Sequence, residues 1–197
     1  MSIPSLRTVA LVAFLALPLG GIGSLSRADS PAAGDPKAEV SKPGIVLPKD
    51  PKAVVLSYDP GAGGFIRKGP PPNLQIQADG RVTVTNLFDG SKKESKLTPR
   101  QLEDLLRFAI RDNDFFNLSQ TRIADAIKAE IGNGPAFALG GVGTTVISVQ
   151  ANGKRHEVSY RGASEYLRAY PKAKALAQFV AVEKRLSDLA ASVAKGK

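Results

Sequence analysis

Leu74-Gln75-Ile76-Gln77-Ala78-Asp79-Gly80-Arg81-Val82-Thr83-Val84 alternates apolar and polar residues on both sides of an Asp-Gly turn. Alternation with period two marks strands that bury one face, and Asp-Gly between them marks a hairpin. The register chooses the turn. A three-residue loop, Ala78 to Gly80, with Gly80 left-handed, pairs Ile76 with Val82 and Leu74 with Val84. All four apolar side chains then share one face, with Gln75, Gln77, Arg81 and Thr83 on the other, whereas a two-residue loop would mix the faces.

The same pattern returns later in the chain. Thr144 to Ala151 and Lys154 to Tyr160 flank Asn152-Gly153, a strong two-residue hairpin signal. This register sets Val149 opposite His156, Ile147 opposite Val158 and Thr145 opposite Tyr160. Upstream, Ala53 to Tyr58 (AVVLSY) reads as a further strand that stops at Asp59-Pro60-Gly61.

Helix signals follow each hairpin. Thr98 is an N-cap, Pro99 the first helical residue and Gln101 the partner in a capping box, with Leu97 and Leu102 as a hydrophobic staple. Leu102, Leu105, Leu106, Ala109 and Ile110 keep helical spacing up to Asn113, before the core plugs Phe115, Phe116 and Leu118. Ser119 to Ile131 carries Ile123, Ala126, Ile127 and Ile131 in helical phase. Beyond Pro171, a long helix carries Leu176, Phe179, Val180, Leu186, Leu189 and Val193.

The hairpin tips Gln77-Ala-Asp-Gly-Arg81 and Gln150-Ala-Asn-Gly-Lys154 resemble each other. Gly80 to Pro99 is 19 positions and Gly153 to Pro171 is 18. The expected fold is α+β: an antiparallel sheet built from two hairpins and an N-terminal strand, helices on one face, and a hairpin-helix pseudo-repeat.

The rest of the 197-residue chain sets the address. Arg7, the apolar run Thr8 to Leu19, and Ser26-Arg27-Ala28 have the order of an export signal, so residues 1–28 are expected to be a signal peptide. The run is about 12 residues, short of the ~20 that span a bilayer, so no transmembrane segment is expected in the mature chain. No Cys follows it to take a lipid. Residues 29–52 hold Pro31, Pro36, Pro43, Pro48 and Pro51 among small and charged residues and read as a disordered, Pro-rich linker. Residues 53–197 are long enough for one domain, expected to bury roughly 68% of its unfolded surface. The expected location is exported, periplasmic or extracellular.

Composition excludes whole classes of chemistry. There is no Cys and a single His, so thiolate nucleophiles, disulfide frameworks and the usual zinc ligand sets are impossible. His156 would have to serve any His-based triad, yet its register places it beside Val149 on the apolar face, where a half-buried structural role is favoured. Gly64 to Gly69 has the glycine spacing of a phosphate loop, but Pro70 and Pro71 stand where Lys and Ser/Thr are needed. Gly140-Gly-Val-Gly143 precedes a strand instead of following one, which excludes a dinucleotide fingerprint. Glu103-Asp104 and Asp112-Asp114 are the nearest approach to a carboxylate pair and read as solvated charge. No metal site and no cofactor are expected.

Lys+Arg outnumber Asp+Glu by 27 to 18. The cations, among them Lys92, Lys93, Lys96, Arg100, Lys154, Arg155, Arg161, Arg168, Lys172 and Lys174, are dispersed among acids. Stacking aromatics are sparse, which excludes sequence-specific nucleic-acid reading.

Several of these stretches together, Leu74-x-Ile-x-x-Asp-Gly-x-Val82, Leu97-Thr-x-x-Gln-Leu102, Asp114-Phe-Phe-x-Leu118 and Thr145-Val-Ile-Ser-Val-x-x-Asn-Gly153, resemble a secreted bacterial family of unknown function. Its members similarly carry an export signal and a Gly-rich entry, here Tyr58 to Phe65. The resemblance covers about 53–160 and, more loosely, the C-terminal helix. It bears on fold and carries over no catalytic residue. The hairpin-helix repetition is also similar, in architecture alone, to secreted enzyme inhibitors built from tandem α/β repeats.

The leading expectation is an exported, non-enzymatic binding module. Its partner would be an unidentified protein or an anionic envelope component, with Phe65, Arg67 and Lys68 of the Gly-rich loop as contact residues. The alternatives are a small secreted hydrolase using carboxylates or His156, and a basic protein that adheres to envelope polymers.

Overall fold

The computed structural model describes residues 44–61, 73–86, 89–134 and 140–196. The expected signal peptide, most of the expected linker, and Phe65, Arg67 and Lys68 lie outside the described residues. The described chain is α+β. Six strands, β1 (Val54–Asp59), β2 (Leu74–Gln77), β3 (Arg81–Thr85), β4 (Lys92–Lys96), β5 (Thr144–Ala151) and β6 (Lys154–Arg161), form one antiparallel sheet ordered β4-β3-β2-β1-β5-β6. The helices are α1 (Pro99–Arg107), α2 (Gln120–Ile131), α3 (Ala163–Ala169) and α4 (Lys174–Ala194).

Both hairpin registers are those read from the sequence: Ile76 faces Val82, Leu74 faces Val84, and Val149 faces His156. The pairings run in register across all six strands. One row is Ser95, Val82, Ile76, Leu56, Val149, His156, and the next is Lys93, Val84, Leu74, Tyr58, Ile147, Val158. Each row is apolar or aromatic over the central strands and polar at one or both edges, and the helices cover this face. A parallel row on the reverse face, Glu94, Thr83, Gln75, Ser57, Ser148, Glu157, is polar throughout. One packed and one polar face is the usual economy of an antiparallel sheet.

The two hairpins flank β1, with β2 on one side and β5 on the other. The repetition is looser than the sequence motif implies, because β4 intervenes before the first helix and the short α3 before the last. Neither was expected. The β4 sequence Lys-Lys-Glu-Ser-Lys has no apolar alternation, since an edge strand with every residue exposed has no core to mark it. In β1, Val54 pairs with Gln77 but Leu56 with Ile76, so one extra residue is inserted. This bulge allows the successive Val55 and Leu56 both to be buried, which strict alternation forbids.

α1 begins as its sequence demands. Thr98 Oγ1 accepts the Gln101 N–H at 3.2 Å, and Gln101 Oε1 accepts the Thr98 N–H at 2.8 Å. The helix widens into a π turn at Phe108–Asp112 and ends at Asn113, whose N–H and side-chain amide both donate to the Phe108 carbonyl. Phe115 and Leu118 then plug the core, with Phe116 half-buried. In α4 the buried stripe is Leu176, Phe179, Val182, Leu186, Ala190 and Val193. Val182 is buried in it, while Val180 and Leu189, expected in the stripe, flank it half-buried.

Residues 44–52 fall within the expected linker, yet they pack on the domain. Ile45 and Leu47 lie against the core, and Val46 is hydrogen-bonded to Asn152 at the tip of the second hairpin. At the first hairpin, Ala78 and Asp79 donate to the carbonyls of Ala53 and Pro51. Pro-rich composition lowers helix and strand propensity, but two apolar residues and a few backbone groups suffice to seat a short extended segment.

Candidate functional site

Where α4 crosses the β4–β1 half of the sheet, helix and sheet part to leave a cleft of about 470 Å³. Its sheet wall is Tyr58, Val84 and Lys93, all from one cross-strand row. Its helix wall is Ser187, Ala190, Ala191 and Ala194, and its rim is Pro60, Asn73, Asn86 and Ser91. The cause lies in side-chain size. Over the other half of the sheet Phe179 of α4 meets Tyr160 of β6, whereas toward the cleft the helix presents only Ser187, Ala190, Ala191 and Ala194. Methyl groups cannot span the helix–sheet separation. The volume falls in the range of small-ligand sites, about 300–1,000 Å³.

The two ends of the cleft differ. At one end Tyr58 is 4% exposed, and Ser187 hydrogen-bonds its phenol oxygen. Burial pushes the Tyr58 phenol up to about 12; the Ser187 hydrogen bond opposes this, while the charges of Glu183 and Asp59 add to it. The group is therefore a neutral hydrogen-bonding hydroxyl at any physiological pH. One turn back on α4, Glu183 accepts from Thr145 Oγ1 at 2.6 Å and from Ser164 Oγ at 3.3 Å, tying β5 and α3 to the helix. At the other end Lys93 Nζ donates to the Ala194 carbonyl at 2.5 Å, so a cation caps the negative end of α4. From Ser187 to Ala194 the helix rises roughly 10 Å, which sets the length of the cleft.

The Gly-rich stretch 61–72 springs from this rim, since Pro60 and Asn73 precede and follow it and both line the cleft. Asn73 is held by a reciprocal pair: its side-chain amide donates to the Thr85 carbonyl at 2.9 Å and its carbonyl accepts the Thr85 N–H at 2.8 Å. Gly61 has φ +66°, and a Cβ there would stand 2.2 Å from the Thr144 carbonyl oxygen. That glycine is required by the close passage of the chain over β5.

The other candidates from the sequence are placed elsewhere. His156 Nε2–H donates to the Leu118 carbonyl at 2.6 Å, and the Phe115 and Phe116 rings stand T-shaped to the imidazole at centroid distances of 5.8 and 6.4 Å. The imidazole thus ties the segment after α1 to strand β6. Asp104 pairs with Arg107, and Asp114 pairs with Arg122 at 3.3 Å. Glu103 borders a second groove of about 290 Å³, lined also by Ile45, Leu47, Ala78, Pro99, Leu102 and Leu106, where the segment before β1 meets α1. Among the described residues no three His, Cys, Asp or Glu side chains come together as a metal site, and no helix is long and apolar enough to cross a membrane.

Tyr58, Lys93 and Ser187 were not singled out together by sequence reasoning. The one legible signal was the helical spacing of the small residues Ser187, Ala190, Ala191 and Ala194, which acquires meaning only once the facing sheet row is known. Comparison with protein-family models, with curated proteins and with solved structures finds no match.

Proposed function

We propose that the chain is an exported, non-enzymatic binding module whose contact site is the cleft between α4 and the β4–β1 half of the sheet. The observation that carries this reading is the built asymmetry of the cleft: a neutral hydroxyl pair, Tyr58 and Ser187, at one end, alanine and valine methyls along its length, and the Lys93 ammonium at the other. Such a site takes a ligand or a partner's side chain with an apolar body and polar ends. Phe65, Arg67 and Lys68, in the stretch of sequence between the rim residues Pro60 and Asn73, are read as further contact residues. His156 supports a binding role over hydrolysis, because its Nε2–H is committed to a backbone carbonyl in an apolar setting. The order of charge, apolar run and small residues in 1–28 supports export.

The test is retention from envelope extract and culture fluid on the immobilised full chain, at low and high salt, beside an Ala191→Trp variant. Ala191 is an exposed residue of the helix wall, so the indole fills the cleft without disturbing the core. A component held at high salt by the wild type and lost by the variant is the expected result. Equal retention by both would remove the cleft from the reading. Retention that vanishes with salt would replace it with adhesion to anionic polymers.

A further inference from the structure

We infer that the outer edge of β4 (Lys92–Lys96) docks an extended acidic segment of a partner protein, which joins the sheet as an added antiparallel strand. The inference rests on the binding-module reading and names the chemistry of the partner.

β4 ends the sheet on one side, and all five of its residues are exposed, whereas each of the other strands buries at least one. It pairs with β3 over five consecutive residues without a bulge, so the edge is regular and its outward backbone groups form a template. The opposite edge is different: α2 packs against β6, and His156 is engaged there.

Charge decides what the β4 template accepts. Lys92, Glu94 and Lys96 share the polar face, with Arg81 opposite Lys96, while Lys93 and Ser95 share the helix face. Among the described residues no carboxylate pairs with Lys92, Lys96 or Arg81. A second copy of the strand, antiparallel and centred on Glu94, would set Lys92 against Lys96 and Glu94 against Glu94, which is repulsive at every pair on the polar face. Lysines on an edge guard against pairing with like or neutral strands, and the same lysines select an acidic one. The complementary order, read antiparallel from Lys96 to Lys92, is Glu-Thr-Lys-Glu-Glu. Its fourth residue would face Lys93 at the mouth of the cleft.

The full chain would be titrated with a short peptide carrying Glu-Thr-Lys-Glu-Glu at its centre, and with the charge-inverted Lys-Thr-Glu-Lys-Lys peptide, at low salt. Backbone amide shifts and amide exchange are the readouts. The acidic peptide is expected to shift the Lys92–Lys96 amides and slow their exchange, and to bind at least roughly tenfold tighter than the inverted one. A double variant, Lys92→Glu with Lys96→Glu, leaves either peptide with two attractive and two repulsive charged pairs and should abolish that preference. Both sites are exposed, so an unchanged thermal midpoint verifies the variant's fold, and if it fails to fold the peptide pair alone decides. No shift in β4 at millimolar acidic peptide would overturn the inference, as would equal affinity of the wild type for the two peptides or self-association through β4. Shifts confined to Tyr58, Ser187 and Ala190 would overturn the edge site while leaving the cleft reading intact. Retention lost with Ala191→Trp tests that reading separately.

Discussion

Val46 and Asn152 hold each other by two hydrogen bonds: the Val46 N–H donates to Asn152 Oδ1 at 2.8 Å, and the Asn152 N–H donates to the Val46 carbonyl at 2.7 Å. The residues are 106 positions apart. One belongs to the segment before the first strand and the other to the tip of the last hairpin. The clasp, with Ile45 and Leu47 packed beside it, makes residues 44–52 part of the folded unit.

A chain beginning at residue 53 should therefore be less stable than one beginning at 44. Asn152→Gly isolates the side-chain half of the clasp, because Asn152 has φ +54°, a conformation glycine adopts freely. We expect a loss of about 0.5–1.5 kcal/mol for Asn152→Gly and a larger one for the truncation. Urea midpoints of the three proteins check this. Identical midpoints would show that the segment only rests on the surface.

Gly80 turns the first hairpin at φ +85°, and a Cβ there would stand 2.5 Å from the Leu97 carbonyl oxygen. Its own carbonyl accepts the Leu97 N–H at 2.9 Å, so the strand leaving β4 is pinned across the turn. Gly80→Ala combines a strained backbone with displacement of that strand, and should cost at least about 2 kcal/mol. Gly153→Ala, at φ +67° with open space around it, carries the backbone strain alone, about 1 kcal/mol. Equal losses in chemical denaturation would remove Leu97 from the explanation.

His156→Leu leaves the Leu118 carbonyl without its donor and removes the ring that Phe115 and Phe116 pack against. The expected cost is about 1–3 kcal/mol, with faster amide exchange concentrated over residues 114–119. A loss under about 0.3 kcal/mol would mean that the imidazole is not a fastener, and would reopen a chemical role for it.

The alkaline limb of stability should carry the signature of Tyr58. Below the ordinary phenol range, near 10, the folded and unfolded phenols are both protonated and the contribution is complete. As pH rises toward about 12 the unfolded phenol ionises first while the buried one keeps its proton, so stability falls. Over the whole interval Tyr58 accounts for at most about 3 kcal/mol. Tyr160 adds a contribution of the same sign, its phenol raised by burial and then by Tyr166. Urea midpoints from near neutrality to high pH should fall less steeply for Tyr58→Phe than for the wild type, and an unchanged slope would exclude this origin.

Much of the architecture was legible because its signals are local. The Ala78-Asp79-Gly80 and Asn152-Gly153 turns set both hairpin registers, and each register placed every core residue of its strands on one face. The Thr98-Pro99-Gln101 box fixed the start of α1. His156 was readable as half-buried for the same reason, since a period of two leaves only two faces to choose from. β4 was not legible, because a strand exposed at every residue carries no alternation. The seat of residues 44–52 was hidden by their proline content.

By itself, the sequence determined which chemistries are absent, one His and no Cys being a matter of counting. It also determined the α+β class and the pairing within each hairpin, because turn residues and alternation act over a few positions. Tertiary structure alone decided that β1 lies between the hairpins, that Lys93, Val84 and Tyr58 form one wall, and that the alanines of α4 leave a cleft over them. Alanine in a helix is favourable wherever it falls. Whether it closes a core or opens a site depends on the side chains facing it, and those come from strands more than ninety positions away in the chain.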